Sequence, residues 1–183
     1  MITILDYGMG NLASVAKAFQ FIGHDVNVTA DPASVRRAER LVLPGVGAFG
    51  DAMQELRRRG LVEAILDFIN TGRPFLGICL GMQLLLDTSD EAPHERGLSV
   101  FAGGNSKFSG SQFAGSDRLK VPHMGWNNVT FAHERAPICT DVTNGAFFYF
   151  VHSFYAVPRD RSIVNATTDY GITFPCILWK DNV

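Results

Sequence analysis

In Gly77-Ile78-Cys79-Leu80-Gly81-Met82-Gln83, an apolar run that begins at Phe75 passes into a helical pattern through a turn that carries a cysteine. The glycines two residues before and two residues after Cys79 match the Gly-x-nucleophile-x-Gly spacing of a tight strand-to-helix turn. In such a turn the helix amino terminus favours a thiolate, and the backbone N–H of Leu80 would face an acyl oxyanion. The stretch indicates a nucleophilic Cys79, although a buried packing cysteine fits the same spacing.

A second glycine-rich loop, Pro44-Gly45-Val46-Gly47, follows the strand that we predict at residues 40–43. If this strand neighbours the cysteine strand, the backbone N–H groups of the loop supply the other half of an oxyanion hole. Alone, the loop is typical of an ordinary strand-to-helix connection. The two loops together, in this order, favour the catalytic interpretation of Cys79.

The first half of the chain alternates short apolar runs with helical patterns, as expected for parallel strands joined by crossover helices. After a loop region at residues 91–120, which allows for a short hairpin, three strand patterns follow one another without a helix between them. The sequence predicts an α/β fold with a mostly parallel central sheet flanked by helices, and with antiparallel strand additions to that sheet in the second half. The predicted strands are 2–5, 25–29, 40–43, 75–78, 147–157, 162–167 and 172–179, and the predicted helices are 12–22, 51–70 with a break at Gly60, and one starting at Met82.

The composition describes a single compact domain and excludes several classes of partner. A chain of 183 residues with 46% hydrophobic residues is long enough to bury about two thirds of its unfolded surface. Its 16 basic and 18 acidic residues give a net charge of -2 and form no long basic stripe, which argues against nucleic-acid binding. No apolar run approaches the roughly 20 residues that span a bilayer. We expect a soluble, cytoplasmic protein, because residues 1–6 also lack the features of a signal peptide.

The cysteines and histidines give little further direction by themselves. Cys79, Cys139 and Cys176 are an odd number without CxxC spacing, which argues against a disulfide framework and against a zinc site. Four histidines lie in predicted loops or near turns, namely His24, His94, His123 and His133. The sequence calls for no metal and no organic cofactor.

Both glycine-rich loops resemble those of the class I, triad-type glutamine amidotransferases. Three further stretches resemble one branch of that family, the glutaminase subunits of imidazole glycerol phosphate synthases. The likeness runs from Met1 to about Trp179 and covers nearly the whole chain. The three stretches are Asp6-Tyr7-Gly8-Met9-Gly10-Asn11, Lys120-Val121-Pro122-His123-Met124-Gly125-Trp126-Asn127 and Tyr149-Phe150-Val151-His152-Ser153.

This resemblance implies a reaction and a role for several residues. Cys79 would attack the side-chain amide of glutamine, release ammonia and form a glutamyl thioester, which water hydrolyses to glutamate. The N–H groups of Val46 and Leu80 would bind the oxyanion. The residues that would bind the substrate are Gly45, Gly47, Gln83 and Ser153.

The resemblance also implies a partner. In that family the ammonia passes to a (β/α)8-barrel cyclase, which uses it to form imidazole glycerol phosphate in histidine biosynthesis, with one glutaminase bound to each barrel. Asn11, His123, Trp126 and Tyr149 match positions that face this partner. An exposed tryptophan would suit an interface core. The alternative, which sequence alone favours, is that Trp126 and Tyr149 are core aromatics.

One part of the family pattern has no match here. The family's cysteine is deprotonated by a histidine, itself oriented by a glutamate, in a Phe-His-Pro-Glu stretch after the last strands, and residues 1–183 contain no such stretch. We therefore expect that residues 1–183 are one amidotransferase domain without its C-terminal end. Each missing proton transfer typically costs about 100- to 10,000-fold in rate, so we expect a poor glutaminase. His152 is the best candidate for a substitute base, although a strand histidine bonded to a backbone carbonyl is the favoured interpretation.

Three other functions remain open from the sequence. Gly8-x-Gly10-x-x-Ala13 follows a strand and opens a helix, as in a dinucleotide-binding fingerprint, with Asp25 or Asp31 meeting the ribose. A different class I amidotransferase is the second alternative. A non-catalytic module that keeps the fold and the partner-binding face is the third.

Overall fold

A parallel sheet forms one half of the protein in a computed structural model that describes residues 1–116, 118–132 and 134–183. Its four strands stand in the order β2-β1-β3-β4, and all its pairings are parallel. Apolar side chains dominate these strands because helices cover the sheet. The four strands are β1 (Ile2–Leu5), β2 (Val26–Thr29), β3 (Leu41–Gly45) and β4 (Phe75–Cys79).

Five α-helices connect these strands or follow them within the described residues. The Asn11 side chain accepts a hydrogen bond from the Ser14 N–H and caps the first helix, and Gly60, at φ +64°, separates the third helix from the fourth as predicted. The helix predicted from Met82 is wrong in extent, because it begins at Leu80 and ends after one turn. The helices are α1 (Leu12–Phe21), α2 (Pro32–Arg37), α3 (Phe49–Arg58), α4 (Leu61–Ile69) and α5 (Leu80–Gln83).

Eight more strands follow, and they confirm the predicted α/β class. The predicted antiparallel additions are corrected in two respects, because these strands form separate sheets and one of their pairs is parallel. The predicted loop region at residues 91–120 contains a seven-residue strand, which its many glycines concealed. The later strands pair with one another in three separate sheets, and none in the described ranges is paired with the parallel sheet: β10-β6-β5, β12-β11-β8 and β7-β9. The strands are β5 (Leu86–Ser89), β6 (Phe101–Lys107), β7 (His123–Asn128), β8 (Thr130–Phe131), β9 (Phe147–His152), β10 (Phe154–Pro158), β11 (Val164–Asp169) and β12 (Thr173–Leu178).

The largest apolar core lies between the parallel sheet and the pair α3 and α4. Leu43 of the sheet and Phe49, Leu56, Ile65 and Phe68 of the two helices are completely buried there. This core fixes β3 and β4 side by side, so their carboxyl ends meet at one edge of the sheet. Ligands bind at that edge in open α/β sheets. None of the helices in the described ranges has the length and apolar character needed to cross a membrane.

Candidate active site

Cys79 stands at the carboxyl end of β4 in the strained turn that the sequence predicts. Its backbone has φ +55° and ψ -113° and precedes the first residue of α5. Positive φ is rare for residues other than glycine and costs about 1–3 kcal/mol, which the surrounding structure must offset. Cys79 is an exposed residue, so the turn places it at the surface of the protein, at the edge of the sheet.

The glycines around this turn are required by close backbone contacts. A Cβ on Gly81 would lie 1.8 Å from the carbonyl oxygen of Leu43, and a Cβ on Gly77 would lie 2.8 Å from that of Gly81. Gly45 pairs with Cys79 across the two strands, and a Cβ there would lie 2.8 Å from the Leu80 Cβ. These contacts explain the Gly-x-Cys-x-Gly spacing, because any side chain would push β3, β4 and α5 apart.

The environment of Cys79 favours the neutral thiol over the thiolate. Protein atoms around the Cys79 sulfur exclude part of its hydration and raise the pKa of the thiol, and the backbone N–H of Leu80 lowers it by a smaller amount. The effect of Leu80 has the predicted sign, but a helix of one turn does not outweigh the loss of hydration. Nucleophilic attack by Cys79 therefore needs a group that takes up its proton or stabilises its charge.

A cavity of about 370 Å³ adjoins Cys79 and is mostly apolar. Gln83, predicted to bind substrate, lines the cavity, but its amide nitrogen already donates to the Phe154 carbonyl at 3.0 Å. Ser153 lies between β9 and β10, and its carbonyl accepts from the Phe108 N–H at 3.1 Å. The cavity is lined by both neighbours of Ser153 and not by Ser153 itself, within the part of the chain that the structure describes.

The Pro44-Gly45-Val46-Gly47 loop, called the oxyanion loop below, lies at the same edge of the sheet as Cys79. Gly45 is opposite Cys79 in the strand register, so the exposed Val46 follows directly at the same edge of the sheet. Gly47 has φ +98°, a conformation that glycine adopts without penalty. The strand register thus places Gly45 beside Cys79, and Gly45 also lies against Leu80.

His152, considered as a substitute base, has both ring nitrogens occupied. Its Nδ1 lies 2.9 Å from the carbonyl oxygen of Phe154, and because a carbonyl only accepts, Nδ1 carries the proton. Its Nε2 lies 3.0 Å from Nδ1 of His123 and accepts the proton of that ring. His152 lines the Cys79 cavity, yet this arrangement supports the interpretation of a strand histidine bonded to backbone.

His123 is a core residue, so the prediction that it faces a partner is wrong. Its side chain is 3% exposed and stacks on Tyr170 at 4.0 Å and on Phe150 at 4.9 Å between ring centroids. His123 occupies the inner face of β7, whose outer face is formed by Met124 and Trp126. His133 lies outside the described residues.

The outer face of the two-stranded sheet formed by β7 and β9 is apolar and exposed. We call this surface the ribbon face; its residues are Met124, Trp126, Phe147, Tyr149 and Val151. Trp126 and Tyr149 are cross-strand neighbours, are 69% and 55% exposed and meet edge to face at 5.6 Å. Their exposure excludes the alternative that they are core aromatics. Exposed apolar surface of this extent is typical of a protein–protein interface.

The histidine pair predicts a stability loss at mildly acidic pH. Burial, followed by the charge of His152, lowers the pKa of His123 to about 4, and burial lowers the pKa of His152. The unfolded chain, with histidine pKa values of about 6.5, then binds more protons than the folded chain as the pH falls. The stability that the pair contributes is complete above about pH 6.5 and is lost as the pH falls toward 4.

Melting temperatures measured between pH 7.5 and 5 test this expectation. We expect the melting temperature to fall across this range, and to fall less in His123→Phe, which removes one titrating ring. His24→Gln, at an exposed histidine, serves as the control and should keep the slope of the unchanged protein. An equal slope in His123→Phe would contradict the prediction.

The dinucleotide interpretation finds no support in the loop that suggested it. The Asp31 carboxylate, proposed to meet a ribose, accepts from the N–H groups of Ala33 and Ser34 and caps α2. A Cβ on Gly8 would lie 2.9 Å from the Arg59 guanidinium, so Arg59 packs against the first glycine of the fingerprint. Both features fit a structural loop.

Sequence reasoning did not single out Tyr7. This residue is completely buried, and its hydroxyl has no hydrogen-bond partner among the described residues. The hydroxyl also lies beside Gly45, next to the candidate nucleophile. No local pattern in the sequence shows the direction of this side chain, because it follows β1 in a loop.

Comparisons with known proteins find similarity in both sequence and fold. Residues 3–182 match the family model of glutamine amidotransferase class-I. The chain is 52% identical over 183 residues to imidazole glycerol phosphate synthase subunit HisH of Syntrophotalea carbinolica and spans 88% of that protein. It is 51% identical over 182 residues to the HisH subunit of Geobacter sulfurreducens and spans 87% of it. A crystal structure of a glutamine amidotransferase superposes with a TM-score of 0.67 at 13% identity, covering 93% of this chain and 85% of the other, a likeness of fold.

Proposed function

The chain belongs to the class I glutamine amidotransferases and, within them, to the HisH subunits of imidazole glycerol phosphate synthase, and we propose that it releases ammonia from glutamine at Cys79. One observation carries the proposal: Cys79 has positive φ at the end of β4, opposite Gly45 and beside an apolar cavity. A positive φ at a non-glycine residue is a cost that functional sites tolerate. The ammonia would serve histidine biosynthesis.

The proposed reaction has two halves. The Cys79 thiolate attacks the side-chain carbonyl carbon of glutamine, so a C–S bond forms and the carbonyl oxygen becomes negatively charged. The backbone N–H groups of Val46 and Leu80 would hold that oxyanion. The C–N bond then breaks, ammonia leaves after it gains a proton, and water hydrolyses the glutamyl thioester to glutamate and free thiol.

The remaining residues of the site have supporting roles in this proposal. Gly45 and Gly47 would let the oxyanion loop approach the substrate. The backbone of the segment formed by Ser153 and its two neighbours, which line the cavity, would bind the amino-acid end of glutamine. Gln83 fixes β10 to the nucleophile helix through Phe154, so it would shape the cavity. His152 does not act as the base, because both of its nitrogens are bonded. A histidine–glutamate pair of the family type would have to reach the cavity from outside the described residues.

Affinity labelling tests the assignment of Cys79. A chloroketone analogue of glutamine is expected to alkylate Cys79, as mapped by peptide mass spectrometry, and glutamine but not asparagine should slow the labelling. Cys139 is the internal control, because it is buried and does not line the cavity beside Cys79. Labelling without protection by glutamine would favour the alternative of a non-catalytic binding module.

We further propose that the ribbon face and Asn11 bind the cyclase subunit, a (β/α)8-barrel. Aromatic residues and methionine are enriched in interface cores, and the ribbon face consists of three aromatics, one methionine and one valine. Asn11 is exposed beside the oxyanion-loop edge of the sheet. One barrel per glutaminase would form a heterodimer through which ammonia passes without release.

Trp126→Ala is expected to weaken binding to the cyclase subunit by about 30-fold or more, because a buried interface tryptophan typically contributes about 2 kcal/mol or more. Titration calorimetry with the purified cyclase subunit measures this change. Phe21→Ala is the matched control, since Phe21 is 92% exposed at the end of α1 and lies outside the ribbon face. Equal losses in both variants, or none in Trp126→Ala, would rule out the ribbon face as the interface.

A further inference from the structure

The side chain of Tyr7 presents a buried donor without an acceptor. Tyr7 follows β1 by two residues and is completely buried, and its hydroxyl oxygen has no hydrogen-bond partner in the described ranges. Buried polar groups without partners are rare because desolvation is not compensated. We therefore expect the Tyr7 hydroxyl to find an acceptor in another state of the site.

The Tyr7 hydroxyl reaches toward the nucleophile across β3. Neighbouring strands lie about 4.8 Å apart, so β1 and β4 are separated by roughly twice that distance. A Cβ on Gly45 of β3 would lie 2.7 Å from the Tyr7 hydroxyl oxygen, 2.8 Å from the Leu80 Cβ and 3.0 Å from the Gly81 nitrogen. The missing side chain of Gly45 thus opens the space through which Tyr7 extends to the turn at Cys79.

The charge around Cys79 is consistent with such a donor. Burial raises the pKa of the Tyr7 phenol, and a negative charge on Cys79 raises it further, so the phenol keeps its proton while a thiol ionises. Within the described residues the cavity contains no carboxylate, lysine or arginine; the titratable groups that line it are Cys79, Tyr149, His152, Tyr155 and Cys176. On its own loop, Tyr7 is followed by Gly8, which contacts Arg59 and donates to Asp6.

We propose that Tyr7 is a further residue of the site, whose buried phenol O–H donates a hydrogen bond to the ionised sulfur of Cys79. The proposal rests on the proposed function only in taking Cys79 as the nucleophile. The phenol compensates part of the hydration that Cys79 loses, and it acts together with the Leu80 N–H. Gly45 has a second role here, because any side chain at this position would separate donor and acceptor.

Titration of Cys79 tests the proposal without requiring turnover. The rate of alkylation of Cys79 by iodoacetamide, followed by peptide mass spectrometry, is measured against pH in the unchanged chain, in Tyr7→Phe and in Tyr170→Phe. We expect the midpoint to rise by about one pH unit in Tyr7→Phe, a roughly tenfold loss of thiolate at lower pH. Tyr170→Phe removes a phenol that donates to Lys120 and should leave the midpoint unchanged. An unchanged midpoint in Tyr7→Phe would overturn the proposal.

A second measurement does not depend on whether Tyr7→Phe folds. With ¹³C at the tyrosine Cζ, the Tyr7 resonance is expected to shift at the pH at which Cys79 ionises, and this step should vanish in Cys79→Ala. A Tyr7 resonance that ignores Cys79 ionisation would also overturn the proposal. These results distinguish failure of this proposal from failure of the proposed function. If the chain shows the midpoint shift and the Tyr7 resonance step but no glutaminase activity, only the proposed function is contradicted. If the chain is active but shows neither, only the Tyr7 hydrogen bond is contradicted.

Discussion

Cys79→Ala is expected to abolish whatever glutamate release the unchanged chain shows, because removal of a covalent nucleophile acts on a scale of about 1,000-fold or more. Alanine keeps the backbone turn and removes the only atom that can form the thioester, so the loss falls on turnover. The measurement is glutamate release by the complex with the cyclase subunit and its ligand, at saturating glutamine. Glutamine binding, measured by fluorescence or calorimetry, should persist, because the cavity walls are unchanged.

Cys139 supplies the matched control for that loss. It belongs to the apolar cluster around β8, β11 and β12 and, unlike Cys176, does not line the cavity beside Cys79. Cys139→Ala should therefore retain turnover if it keeps its melting temperature. Turnover in Cys79→Ala equal to that of the unchanged chain would remove Cys79 as the nucleophile, and a loss shared by both variants would indicate a structural effect.

Gly81→Ala is expected to be the most damaging small substitution in the parallel-sheet half. The new Cβ would lie 1.8 Å from the Leu43 carbonyl oxygen, and no rotamer relieves the contact, because the backbone alone fixes the positions of both atoms. Overpacking of this kind costs about 3 kcal/mol or more, which lowers the melting temperature by roughly 6–12 °C in a domain of this size. The displaced α5 would also move the Leu80 N–H away from Cys79, so alkylation by the chloroketone analogue should be lost.

Gly10→Ala is the matched control for that substitution. A Cβ on Gly10 would meet only side-chain atoms of Leu12 and Pro44, the nearest at 3.4 Å, which is ordinary van der Waals contact. Its free energy of unfolding should change by less than about 1 kcal/mol, so its melting temperature should stay close to that of the unchanged chain. The melting temperature of Gly81→Ala should fall steeply. If Gly81→Ala melted like Gly10→Ala, the tight contact between β3 and α5 would not exist in solution.

The sequence predicted those parts of the fold that follow from local patterns. β1, β4 and the break at Gly60 were readable because apolar runs and glycine have direct local meaning. β6 was missed because its Gly103 and Gly104 resemble a loop, and only pairing with β5 and β10 makes it a strand. α5 was predicted too long, because the entry of the chain into β5 ends it after one turn.

The wrong prediction that His123 faces a partner could in part have been avoided from the sequence. Successive strand residues face opposite sides, so positions three apart, such as His123 and Trp126, cannot both face a partner from one strand. The same argument separates Tyr149 from His152. Which side of the β7–β9 sheet is buried depends on the aromatic cluster beneath it, and that cluster joins residues far apart in the chain.

By itself, the sequence determined the strand-to-helix turn around Cys79, the glycines that permit it and the family to which the chain belongs, because each is encoded by neighbouring residues. The tertiary structure alone decided that the environment raises the pKa of the Cys79 thiol, that His152 is bonded at both nitrogens and that Tyr7 extends over Gly45. These properties depend on desolvation and on distances between side chains from different strands. Such distances are set by packing, which no local pattern in the sequence encodes.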